Sequence, residues 1–259
     1  MPAQFPRIAS RVYPASEHNT NLGFPRIALC YANMMKTQWL LGLSSICFLV
    51  LGCGDATIEE NTETPNPHAC DAAASATRTI SCVESFEAGD EAGYGSNRYP
   101  DVIYGEPYGN GLTAGGVDVL SLGKNGVITV GFGGNAIVDG PGVDFIVFEN
   151  PFQYGDGLFF RELGEVSVSL DGQTWLAFPC DQGAMPPLGC AGATPVLANG
   201  DLGISAYDPA VSGGDAFDLA TLGLSEVRFV RIRDLLGYGA EPTAGFDLDA
   251  VSIVHAKVP

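Results

Sequence analysis

Histidine and basic side chains are what this chain has least of. Three His and 12 Lys+Arg stand among 259 residues, against 30 Asp+Glu, for a formal charge of −18. So acidic a chain repels phosphate backbones and anionic lipid surfaces, which argues against nucleic acid as a partner and favours cation binding. No Gly-x-Ser-x-Gly elbow and no phosphate-cradling Gly-Lys-Ser/Thr loop occurs. A Ser-His-Asp or Cys-His machine in the folded part would have to use His255, since His68 lies in a polar stretch. His255 is expected to be a strand-end side chain, and zinc hydrolysis lacks ligands. These shortages point away from an enzyme. No apolar run reaches the roughly 20 residues of a membrane span.

What is present is apolar and rich in turns. Hydrophobic residues make up 46%, and 34 Gly and 17 Pro punctuate short β-branched and aromatic runs. That composition excludes a disordered chain and predicts an all-β protein with a real core.

From Met34, a basic start leads into the apolar run Trp39 to Gly52 and then Cys53, the layout of a secretory signal. Val50-Leu51-Gly52-Cys53 looks like the lipobox of bacterial lipoproteins, which predicts residues 34–52 as a removed signal and Cys53 as the lipidated mature N-terminus. A plain secreted protein cut near Gly52 is the alternative. Residues 1–33 fit neither scheme, and Phe5-Pro6-Arg7-Ile8-Ala9 recurs as Phe24-Pro25-Arg26-Ile27-Ala28. They are expected to be an upstream extension, with translation beginning at Met34 or Met35. Removing residues 1–52 takes away Arg7, Arg11, Arg26 and Lys36 but only one acid, Glu17, so the exported chain is more acidic still.

Residues 53–69 read as an acidic tether, and membrane contact is expected only through the lipid. Residues 70–98 show few strand signals and are expected to be an irregular lead-in, before a folded domain over 99–256. Cys70, Cys82, Cys180 and Cys190 remain for disulfides, the even number typical of an exported chain. Pairs close in sequence, Cys70–Cys82 and Cys180–Cys190, are favoured among three connectivities. Zinc ligation is the rival reading, weakened because neither pair has Cys-x-x-Cys spacing.

Eight strands are predicted: Asp101 to Tyr104, Asp118 to Leu122, Gly126 to Phe132, Val143 to Phe148, Leu163 to Leu170, Thr174 to Phe178, Glu226 to Arg233 and Phe246 to Val254. With no convincing helix, they suggest a β-sandwich or jelly roll. Val166, Val168 and Leu170 fall on one face and Ser167 and Ser169 on the other, followed by an Asp171-Gly172 hairpin signal. Residues 191–220 read as a loop excursion over one end of the sandwich.

Six blocks resemble a family of bacterial cell-surface proteins, many of whose members carry a PEP-CTERM type sorting tail. They are Val117 to Gly123, Ile137 to Asn150, Val166 to Trp175, Gly213 to Leu219, Val227 to Asp234 and Gly245 to Val251. The resemblance covers about residues 100–256 and implies place and fold more than activity, with the lipobox standing in for the tail. The hairpin block and Val227 to Ile232 also resemble the discoidin or galactose-binding-like jelly roll, a scaffold for glycan or lipid binding.

The acids are where chemistry would sit. Asp139 and Asp144 flank a Gly-Pro-Gly turn, Glu149 ends the next strand, Asp215 and Asp218 occupy a glycine-rich loop, and Asp247 and Asp249 share a face with Val251 and Ile253. Carboxylates in line with apolar residues need a cation, an arginine or backbone donors. One Ca²⁺ held by some of Asp139, Asp144, Glu149, Asp247 and Asp249 is expected. The competing reading has these acids capping turns and pairing with Arg228, Arg231 or Arg233. Tyr94, Tyr104, Tyr108, Phe152, Tyr154 and Tyr238 lie in or beside Gly/Pro-rich segments, where aromatics could stack on sugars. Tyr154 and Tyr238 are the candidate ligand contacts. The expected role is a lipid-anchored, calcium-stabilised surface module that binds glycan or extracellular matrix. The alternatives are a carbohydrate-active hydrolase using paired carboxylates, or a purely structural surface protein.

Overall fold

A computed structural model describes residues 65–235, 237 and 239–259. The leader, Cys53 and most of the acidic tether, along with Tyr238, lie outside the described residues. Fourteen strands follow one another: β1 (Cys82–Glu87), β2 (Leu120–Ser121), β3 (Val127–Gly131), β4 (Ile137–Val138), β5 (Phe145–Phe148), β6 (Phe152–Gly155), β7 (Leu158–Phe160), β8 (Gly164–Ser169), β9 (Leu176–Ala177), β10 (Asp215–Phe217), β11 (Glu226–Val227), β12 (Phe229–Asp234), β13 (Asp247–Leu248) and β14 (Ala250–Ile253). Helix among the described residues is confined to four short 3-10 turns. The chain is all-β, as its composition implies.

Two antiparallel sheets carry the core. One has five strands in the order β1-β3-β12-β8-β9, and the other has three in the order β10-β5-β14. Period-two alternation explains the first sheet: Ile128 and Val130, Val166 and Val168, and Val230 and Ile232 all turn inward and are fully buried. Phe145, Val147, Phe217, Val251 and Ile253 from the second sheet join them in one apolar cluster. Strand β5, like its ladder partner β14, has all four of its residues buried. Its other face, Ile146 and Phe148, packs with Val196, Ala198, Ala206 and Ala250. The long 191–214 connection therefore covers the outer face of the three-stranded sheet, where sequence suggested a cap over one end.

Several expectations change. Asp101–Ile103 forms a 3-10 turn in place of the predicted strand. The lead-in is not irregular, because β1 within it pairs with β3. Anchoring reaches into the end of the tether too: Asn66 Nδ2 donates to the carbonyls of Val83 (2.8 Å) and Glu84 (3.0 Å). Leu170 is exposed. The β8–β9 connection is longer than an Asp-Gly turn, since Val168 pairs with Leu176; the Asp171 carboxylate holds it by accepting from the amides of Gln173 and Thr174 (2.8 and 2.7 Å). Arg228 falls in the break between β11 and β12, which resets the alternation so that both Val227 and Val230 point inward.

Both favoured cysteine pairs are bonded, with Cα–Cα distances of 5.0 Å for Cys70–Cys82 and 4.7 Å for Cys180–Cys190. Cys82 stands opposite Gly131 in the ladder. A Cβ at Gly131 would meet the Cys70 sulfur at 2.6 Å, so the bridge requires glycine there. Two disulfides fit an oxidising, extracytoplasmic environment. Replacing Cys70 and Cys82 together by serine should cost about 3 kcal/mol by loop-closure entropy. Thermal melting would then show a midpoint lowered by roughly 6–12 °C, and an unchanged midpoint would mean that β1 is held by its ladder alone.

Candidate functional site

Strand β5 carries a carboxylate at each end. Asp144 precedes Phe145, and Glu149 follows Phe148 on the inward parity set by Phe145 and Val147. Both acids are buried, at 0% and 1% exposure. Their surroundings are opposite in kind.

Asp144 is fully provided for. Its Oδ1 accepts from the Gly140 amide at 2.8 Å and lies 2.8 Å from His255 Nδ1, while Oδ2 accepts from the Leu219 amide at 2.7 Å. Asp139 and Asp218 offer oxygens within 4.8 Å of it. Asp139 is exposed, and Asp218 caps the 3-10 turn Leu219–Leu222 through the Ala220 amide. Here the acids cap turns. The His255–Asp144 pair was not foreseen, and the concavity beside it is lined by Arg78, Val138, Gly140, Val254, His255, Ala256 and Pro259, with no serine, threonine or cysteine for the imidazole to activate.

Glu149 has no such provision. Both of its oxygens are buried without a hydrogen-bond partner among the described residues. The Asn150 amide lies near enough to favour the charged form slightly, but outside hydrogen-bond geometry. Burial pushes the Glu149 pKa well above the usual carboxylate range, and the neighbouring Asp247 adds to the shift. Glu162 and Asp247 complete the group, with one oxygen from each of the three within 4.8 Å of the others. Glu162 sits between β7 and β8 and is 2% exposed; one of its oxygens is also without a partner. Its pKa is pushed up to about 8, by burial first and then by Asp247 and Asp234. Asp247, on β13 opposite Ser121 of β2, accepts from the Ser121 hydroxyl and from Asn150 Nδ2 (3.3 Å). Burial raises its pKa to about 6 even against those two bonds. The run into β13 depends on Gly245, whose φ of +75° and 2.3 Å clearance from the Gly123 carbonyl exclude a side chain.

The five acids among which one ion was expected to find its ligands thus fall into separate groups. Asp139 and Asp144 belong to one group, Glu149 and Asp247 to the other with Glu162 added, and Asp249 to neither. Asp249 takes weak bonds from the Tyr108 amide (3.3 and 3.4 Å), and burial raises its pKa to about 8. The arginine pairing considered for these acids is not found among the described residues. Arg233 pairs with Glu165 at 3.0 Å, Arg231 stacks 3.6 Å from the centroid of Trp175, and Arg228 reaches the Gly133 carbonyl.

A cleft of about 310 Å³ opens onto the second group. Its wall includes Tyr94, Phe152 and Phe160, with Asn150, Glu162, Thr243 and Asp247 as the polar part. Phe152 and Phe160 stack across the β6–β7 hairpin at 5.5 Å. Tyr154 stands on the same hairpin, 64% exposed. Tyr108 donates to Asp201 (2.7 Å), and Tyr104 packs against the core. A larger concavity of about 460 Å³ lies on the outward face of the five-stranded sheet, between Trp175, Arg231 and Arg233; there Arg233 already has its carboxylate partner. Comparison with known proteins found no matching family model, and neither a curated protein nor a solved structure matches the chain significantly.

Asp215, not one of the three converging acids although its charge adds to the Glu149 shift, shows the cost of a buried acid that has backbone donors. It accepts from the Ala193 and Thr194 amides (2.9 and 3.4 Å), yet burial raises its pKa to about 6. A carboxyl with a raised folded pKa contributes stability below its unfolded pKa and loses it as pH rises through the folded one. Asp215→Asn should therefore match the parent near pH 4 and gain on it by roughly 2–3 kcal/mol above pH 6. Parallel pH–stability curves for the two proteins would show that the Asp215 carboxylate is stabilised as well inside as in water.

Proposed function

We propose that this chain is an exported, lipid-anchored surface module that binds a carbohydrate in the cleft above Glu162 and Asp247. The cleft carries the reading. Aromatic walls at Tyr94, Phe152 and Phe160 present the apolar faces on which a sugar ring stacks, and Asn150, Thr243 and the two acids supply hydrogen-bonding groups for its hydroxyls. Tyr154, exposed on the β6–β7 hairpin, extends the contact beyond the cleft. The accompanying fold reading is a jelly-roll sandwich of galactose-binding type, supported by two antiparallel sheets sharing one core. Export is supported by the two disulfides, lipid attachment by Val50-Leu51-Gly52-Cys53, and kinship with the surface-protein family by the six ordered blocks.

Burial of the acids favours binding over turnover, since a sugar cannot reach Glu149. A hydrolase is the second reading, because Glu162 and Asp247 line one cleft with pKa values raised to about 8 and about 6. Glycan-array binding followed by titration separates the possibilities. Phe160→Ala should weaken the best glycan about tenfold while lowering the melting midpoint by only about 1–6 °C through loss of the stack on Phe152, and Tyr154→Ala should weaken it less. Release of reducing sugar, abolished by Glu162→Gln, would transfer the chain to the hydrolases. Silence across glycans from a folded protein would leave a structural surface role.

A further inference from the structure

We infer that Glu149, Glu162 and Asp247 hold one divalent cation, calcium, at the floor of the cleft. Two independent observations meet there. Three carboxylates from three separate segments, the end of β5, the β7–β8 connection and β13, converge until their oxygens lie within 4.8 Å of one another. Two oxygens bound to one calcium at about 2.4 Å can be no more than about 4.8 Å apart, so the convergence is what a shared ion requires. The second observation is Glu149 itself, buried to 1% exposure with neither oxygen hydrogen-bonded among the described residues. Protonation would remove its charge and turn one oxygen into a donor, but the other would remain a buried acceptor with no amide or hydroxyl donor among the described residues. A cation satisfies both oxygens and reverses the repulsion from Asp247 and Glu162.

Asp144 supplies the internal contrast. It is as deeply buried and also sits among acids, but its oxygens are taken by two backbone amides and His255. That group needs no ion.

The donor set decides the metal. All three ligands are oxygen, with no histidine or cysteine in the group, which selects a hard cation over zinc or copper. Magnesium keeps several waters and strict octahedral geometry, whereas calcium accepts six to eight oxygens in a protein cage with irregular, partly bidentate carboxylates. Glu162 and Asp247 also line the cleft, so remaining coordination positions on that side are open to water or to the hydroxyls of a bound ligand. The site does not rest on the carbohydrate reading, and the two can fail separately.

The test is calcium titration of the purified protein after chelator treatment and dialysis, by calorimetry and by melting. One ion per chain is expected, with the midpoint raised by about 5–10 °C at a hundredfold excess over Kd. Glu149→Gln should lose the ion, and Asp139→Asn, in the satisfied group, should keep it. If Glu149→Gln does not fold, ion content and the chelator shift of the parent protein decide. No bound ion and no shift overturns the proposal. So does loss of the ion in Asp139→Asn with retention in Glu149→Gln, while an equal shift with magnesium at the same concentration overturns the calcium assignment.

Discussion

Strand β5 is the constraint around which the rest is arranged. Phe145 and Val147 complete the core shared by the two sheets, and Ile146 and Phe148 need cover on the other side. A strand buried on both faces can end only by carrying its neighbours inside as well, and both neighbours are carboxylates. The long 191–214 connection, the β10 and β14 ladders and the turn at Leu219 can all be understood as what burying this strand demands. Because a buried charge costs several kcal/mol without compensation, each end of β5 requires its own solution. At Asp144 the solution is a set of hydrogen bonds. At Glu149 it is a converging pair of further acids, which the proposed cation would join.

That difference joins the fold to the function proposed for it. The floor of the cleft is built from acids that repel one another, while its walls are aromatic. An ion at the floor would fix the β7–β8 connection and β13 relative to β5, and would hold the β6–β7 hairpin, with Phe152 and Phe160, in place above it. Stability and ligand binding would then respond to the same ion.

Much of the fold was legible from alternation and punctuation. The inward valines of β8 and the inward Val251 and Ile253 of β14 follow from period two, and the disulfides from sequence proximity in a chain read as exported, whereas in Glu226 to Arg233 the phase of Arg228 with Val230 hid the break between β11 and β12. What could not be read were short strands whose residues carry no β signature, such as β10 (Asp215–Phe217), or those hidden in polar sequence, such as β1. Their pairing is decided by partners distant in the chain. Of the site, Glu149 and Asp247 were visible as acids in line with apolar residues. Glu162 was within reach, since Gly164, Val166 and Val168 extended backwards place it on the inward face, but the predicted strand began at Leu163. The division of the five acids into separate groups was not legible, because it depends on which acid finds backbone donors, and turn geometry sets that. His255 was expected to end a strand; its bond to Asp144 spans 111 residues and leaves no local trace.

The most direct measurement is a high-resolution crystal structure grown with calcium, with anomalous scattering used to locate the ion. A single peak with oxygens of Glu149, Glu162 and Asp247 at about 2.3–2.6 Å is the predicted result. Three protonated carboxyl groups hydrogen-bonded to one another or to ordered water, with no anomalous peak between them, would contradict it.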